Sequence, residues 1–180
     1  MEEQDEFMPK SPFARKIYRY FTSGSSQFDR HQIKKWMKSD NLEVLGTVHS
    51  YVDDRSYSSK ISPPFALKDF LELQKKYFSR CILENPEQPW VHNRAEAILD
   101  LIQWFYEFWN HPDITQGLLD DFNSWIAKLY KEGDKDVKDE IVHVVFLHLF
   151  EDKKVKKLFA NWKDDPDLKE AYLKAVEMNP

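Results

Sequence analysis

The sequence predicts an all-α protein, a single domain of about eight or nine helices packed as antiparallel hairpins, in a compact bundle or a short solenoid-like array. Three observations predict it. Only 4 of the 180 residues are Gly, about a third of the roughly 7% usual share, so the tight turns of antiparallel sheets are scarce. Apolar residues recur at three- and four-residue spacing through most of the chain. The breaks between those segments are short, as in helical hairpins. One core suffices, because a chain of this length buries roughly 70% of the surface its unfolded form exposes.

Residues 1–10 open with Glu2, Glu3, Asp5 and Glu6 and read as a flexible acidic N-terminus before a helical domain over 11–180. Ser11 and Pro12 start the first helix by the N-cap and N1 preferences, with Phe13, Ile17, Tyr20 and Phe21 along one face and the Ser23, Gly24, Ser25 cluster as its stop. A second helix is expected over 27–38, capped by Ser26, with Arg30, Lys34, Lys35 and Lys38 on a solvated side. Over 42–52, Val44, Leu45, Val48, Tyr51 and Val52 keep helical spacing while Gly46, Thr47 and the β-branched valines favour a strand. Helix is preferred, since a solitary strand finds no partner. Residues 53–62 read as an irregular connection.

Pro63 and Pro64 begin a long helix with a broad apolar face that includes Cys81, a core thiol by its setting. Residues 85–89 form the next break. From 91 to 109 the chain has neither Gly nor Pro, and its apolar residues cover two adjoining faces, so burial by neighbours on several sides is expected. The polar line left on that helix is Glu96, Asp100, Gln103 and Glu107. Pro112 restarts the chain, with Asp113 at the positive end of the new helix. Gly133 then caps it and Asp134 caps the following one, which carries Val137, Ile141, Val142, Phe146, Leu147 and Leu149. Two shorter helices close the chain, the first marked by Val155, Leu158, Phe159 and Trp162, the second starting at Asp165 and Pro166.

The net charge of −5 is unevenly spread. Residues 1–83 hold 14 Lys and Arg against 11 Asp and Glu, residues 84–152 hold 5 against 15, and residues 153–180 hold 7 against 5. The acidic middle would repel phosphate backbones and attract a basic partner, so nucleic acid is not an expected ligand. No apolar run is long enough to span a bilayer and the N-terminus lacks the pattern of a secretory signal. A single cysteine builds no intramolecular disulfide framework, and a cytoplasmic location is expected.

Chemistry-bearing patterns are few. Glu140 and His143 form a Glu-x-x-His pair, which in di-iron bundles is matched by a second copy and two further carboxylates, and no second copy exists. His92, Glu96 and Asp100 would stack three ligand types on one helical face, so a metal-dependent bundle enzyme using Glu140, His143, Glu96 and Asp100 is the alternative reading. There is no Gly-x-Ser-x-Gly elbow and no phosphate-cradling glycine loop. Neither cofactor nor catalysis is expected.

The segment Gly133, Asp134, Val137, Ile141, Val142, Phe146, Leu147 and Leu149, followed by acids, resembles a pattern in small all-helical bacterial proteins, some of them toxin-associated immunity proteins. The resemblance covers the last third of the chain. It implies a helical cytoplasmic binder that blocks one cognate toxin, and it carries over no catalytic residue.

The acidic stripe is the candidate site. Carboxylates are costly to bury unpaired, so Glu96, Asp100 and Glu107 either pair within the chain, with Arg94, Arg80 or a neighbouring lysine, or face a positive partner. In the second case they form a patch with Asp113, Asp120, Asp121 and the exposed edges of Trp104 and Trp109. The expected function is a non-catalytic protein-binding module, an immunity-type inhibitor of a basic toxin such as a nuclease. The oligomeric state is left open.

Overall fold

A computed structural model describes residues 8–180. The expected acidic N-terminal segment lies mostly outside them; of its last residues, Pro9 is buried and accepts a hydrogen bond from Arg15 Nε at 2.7 Å. The fold is all-α. The described residues gather into two compact units, divided between Asn93 and Arg94.

In the first unit, α1 (Pro12–Phe21), α2 (Arg30–Trp36), α3 (Leu42–Val52), α4 (Arg55–Ser58) and α5 (Leu67–Glu84) surround an aromatic core. Ser11 caps α1 with Pro12 at N1, as the sequence predicts. Segment 42–52 is a helix, and every residue of it except Ser50 is buried. Phe21 stacks on Tyr51 at 4.7 Å between ring centroids and meets Phe28 edge-on at 5.0 Å, so α1, α3 and the segment just before α2 share one aromatic contact.

Several boundaries differ from the sequence expectation. The second helix starts at Arg30, because Asp29, not Ser26, caps it by accepting the His31 N–H at 2.9 Å. The residues before it are freed to pair: β1 (Phe28–Asp29) lies parallel to β2 (Ile61–Ser62), with Phe28 opposite Ile61. Arg30 and Lys34 are not merely solvated. Both reach Asp69 at 2.6 Å, and Asp69 also accepts the Ala66 N–H at 2.9 Å, which fixes the start of α5 three residues beyond Pro64.

The second unit holds α6 (Arg94–Trp109), α7 (Gln116–Glu132), α8 (Lys135–Glu140), a π-helical turn (Ile141–Val145), α9 (Phe146–Leu149), α10 (Lys153–Leu158), a 3-10 turn (Ala160–Asp164) and α11 (Lys169–Met178). Its core is a chain of rings: Phe105 on Phe122 at 4.6 Å, Phe122 near Phe159 at 6.3 Å, and Phe159 against Phe146 and Trp162 at 5.0 and 5.7 Å. Thr115, not the Pro112 turn, starts α7 by accepting the Leu118 N–H. Asp113 therefore sits in a turn rather than at a helix N-terminus. Asp134 caps α8 as expected, at 2.9 Å from the Val137 amide. Gly133 ends α7 in an extended conformation, and its lack of a side chain serves packing: an added Cβ would fall 2.4 Å from Val137.

Among the described residues no helix is long and apolar enough to cross a membrane.

Candidate functional site

The expected site is built on α6. Its buried line is Ala97, Ile98, Leu101, Ile102, Phe105 and Phe108, which seats the helix on α7 through Phe122. The expectation that neighbours enclose this helix on several sides is corrected. Ala95, Glu96, Leu99, Gln103, Tyr106 and Glu107 all stand in solvent, so α6 is amphipathic, whereas α3 is buried at every residue but Ser50. Two of the buried polar side chains of α3 are hydrogen-bonded, one within the helix and one to the segment before α1, and a third is packed against a ring. Thr47 donates to the Glu43 carbonyl at 2.8 Å, the Glu43 carboxylate accepts the Lys10 and Ser11 amides, and His49 stacks on Tyr77 at 4.5 Å.

Glu96 and Glu107 are exposed and Asp100 is half-buried beside them. Glu96 and Asp100, like Asp121 on α7, engage in interactions within the chain. Asp120 is exposed and accepts Gln116 Nε2 at 2.8 Å. Asp113 is exposed in the turn after α6, its amide donating to His111 Nδ1 at 3.1 Å. Trp104 and Trp109 are half-buried, stacked on Phe108 at 4.8 Å and Phe105 at 5.9 Å. By helical spacing they flank opposite edges of the exposed face, with the acids between them.

Sequence reasoning missed the apolar groups that share this face. Leu99 is 60% exposed and Tyr106, two turns on, is 37% exposed. The Tyr106 hydroxyl donates to the His148 carbonyl at 2.8 Å, which ties α6 to α9, where Leu147 is 40% exposed. Burial, then the charges of Glu151 and Asp152, push the Tyr106 hydroxyl above its ordinary pKa, so it remains a neutral donor. The available signal was the spacing: positions 99, 103 and 106 lie on the polar line of the helix, where a large apolar residue has no core to enter.

The metal alternative does not assemble. His92 precedes α6 instead of lying on it, and its Nδ1 is 2.6 Å from the Tyr77 hydroxyl. Glu140 ends α8 and His143 falls in the π-helical turn, where the Phe146 amide reaches back five residues to the Ile141 carbonyl. That widened turn spoils the i, i+3 alignment of the pair. Among the described residues no three His, Cys, Asp or Glu side chains gather as a metal site would require. Cys81 is fully buried, and burial pushes its thiol up to about 12, far from thiolate chemistry.

No family model, curated protein or solved structure matches the chain.

Proposed function

We propose that the chain is a non-catalytic protein-binding module, an immunity-type inhibitor that neutralises a basic toxin, a nuclease being the class that fits best. The observation that carries the reading is the exposed face of α6, where Glu96, Gln103 and Glu107 stand in solvent beside Leu99 and Tyr106. Interfaces combine an apolar anchor with a charged rim in this way. Residues 94–180 hold 18 Asp and Glu against 12 Lys and Arg, so the field around the face attracts cations. The proposal rests on the exposure and sign of that face, since Glu96 and Asp100 also interact within the chain.

The mechanism is occlusion. A nuclease binds phosphates with lysine and arginine, and carboxylates that occupy those cations keep substrate out. Leu99 and Tyr106 would supply contact area that charge alone does not. The test is co-expression with a toxin domain encoded beside this chain. Protection of growth by the unaltered protein, lost when Glu96, Asp100 and Glu107 are all changed to Lys in a variant that keeps its helical circular dichroism, supports the reading. Undiminished protection by that variant removes the face from the interface, and no protection by the unaltered protein removes the function.

A further inference from the structure

The cations of the first unit are gathered at its start. Residues 8–38 hold eight Lys and Arg against one carboxylate, Asp29, which caps α2; counted from residue 1 the balance is eight against five, in a chain of net charge −5. Helix α1 buries Ala14, Ile17 and Phe21 and turns Pro12, Lys16 and Arg19, spaced i, i+4, i+7, to the outer side. Helix α2 repeats the arrangement, with Ile33 and Trp36 inward, His31 and Lys35 outward, and Lys38 continuing that line just past its end. Both inward sides enter one aromatic core, and Tyr20 meets Trp36 edge-on at 5.0 Å, so the two outer sides lie next to each other. Arg30 and Lys34 turn away to Asp69 on α5. Lys16, Arg19, Lys35 and Lys38 take part in none of the ion pairs found among the described residues.

One large apolar side chain stands among these cations. Phe13, three residues before Lys16, is 46% exposed, whereas the other tyrosine and tryptophan rings of the two helices point inward: Tyr18 onto Tyr51 and Trp90, Tyr20 onto Phe28 and Trp36. A phenyl ring set among lysine and arginine suits the boundary between hydrocarbon and phosphate. We propose that the outer side of α1 and α2 is a docking surface for an anionic lipid bilayer. Phe13 enters the boundary of headgroups and acyl chains, while Lys16, Arg19, Lys35 and Lys38 meet the anionic headgroups. Adsorption of this kind requires no spanning helix, and none is found among the described residues. Single-stranded nucleic acid offers the same phosphates, but its successive bases stack on several exposed rings, and among the described residues of these two helices Phe13 is the one exposed ring. No residue of α6 takes part, so the inference does not depend on the toxin reading.

Co-sedimentation of the full chain with vesicles tests the surface, using phosphatidylcholine alone or with about a third phosphatidylserine, at about 0.05 M and about 0.5 M salt. The unaltered protein should pellet with the anionic vesicles at low salt, be released at high salt, and stay in solution with phosphatidylcholine alone. Lys16→Glu combined with Arg19→Glu should lower the bound fraction by about tenfold. The same charge change placed on α11, Lys169→Glu with Lys174→Glu at exposed positions, should leave most of the binding intact. Phe13→Ser should weaken binding severalfold without altering its salt dependence, since apolar contact responds little to salt. Helical circular dichroism checks that each variant is folded. An unaltered protein that does not pellet overturns the inference, as does an equal loss from the α1 and α11 pairs. Binding that Phe13→Ser leaves unchanged overturns the insertion of that ring. Retention of a uridine homopolymer without vesicle binding assigns the face to nucleic acid and also overturns the inference.

Discussion

Asn123 is the buried polar residue on which the second unit is pinned. Its side-chain oxygen accepts the Trp162 indole N–H at 2.7 Å, while its amide nitrogen donates to the Leu158 carbonyl at 2.7 Å and to Asn161 Oδ1 at 2.8 Å. Trp162 is fully buried, so no water replaces the lost acceptor if Asn123 is truncated. Asn123→Ala should destabilise by about 2–4 kcal/mol, from the orphaned indole N–H and the space left behind; urea unfolding of the variant measures it. Gly46 poses the opposite test. In the interior of α3, replacing Gly by Ala would by propensity alone gain about 1 kcal/mol. Here the added Cβ would lie 1.9 Å from the Trp90 carbonyl oxygen, so the segment carrying Trp90, itself at φ 65°, must move. Steric cost outweighs propensity, and Gly46→Ala should lower the thermal midpoint. A rise would show that the Trp90 backbone does not rest on α3.

Between elements, Asp69 is the main electrostatic tie. It joins the N-terminus of α5 to α2 through Lys34, Arg30 and the Ala66 amide, and it is 3% exposed. Burial alone would raise its pKa, but the Lys34 hydrogen bond, the Ala66 amide and the charges of Lys34 and Arg30 outweigh it and hold the carboxyl below its ordinary value. The folded pKa thus lies below the unfolded one, so the stabilisation is complete above about pH 4. It is lost as pH falls through the folded value. Asp69→Asn should cost about 1–3 kcal/mol at neutral pH, discounted for the partly exposed cations, and should flatten the acid limb of a stability-versus-pH curve. An acid limb identical to that of the unaltered protein would contradict this. Asp69 also shows what the sequence could and could not convey. Period and caps were legible: Ser11, Pro12 and Asp134 act as their local chemistry predicts, because a cap bonds within three residues. Long-range pairing was not. Nothing near Arg30 or Lys34 announces a carboxylate 39 or 35 residues away. The two-residue strands escaped for the same reason, as a parallel pair of that length has no periodicity to read. At the candidate site the acids of α6 were legible as a stripe and the exposure of Leu99 was available from its spacing, while the Tyr106 link to His148 required the neighbouring α9 to be in place.

At the scale of the molecule, charge is distributed by unit. Residues 1–93 carry 14 Lys and Arg against 13 Asp and Glu and are close to neutral, whereas the excess of acid lies in residues 94–180. A near-neutral half leaves the field to the other half, so the proposed steering of a cationic partner would be directed to the unit that contains α6. Association driven by such a field weakens as salt rises, because the Debye length shrinks from about 10 Å at 0.1 M to about 3 Å at 1 M. The proposed apolar contact by Leu99 and Tyr106 would respond little to salt, so the two contributions separate in one titration series. The most direct measurement is therefore the affinity for a basic toxin domain at low and high salt, for the unaltered protein and for the protein with Glu96, Asp100 and Glu107 all changed to Lys. The account predicts that the substitutions weaken binding by about tenfold or more at low salt and flatten its salt dependence; equal affinity and an unchanged slope would contradict it.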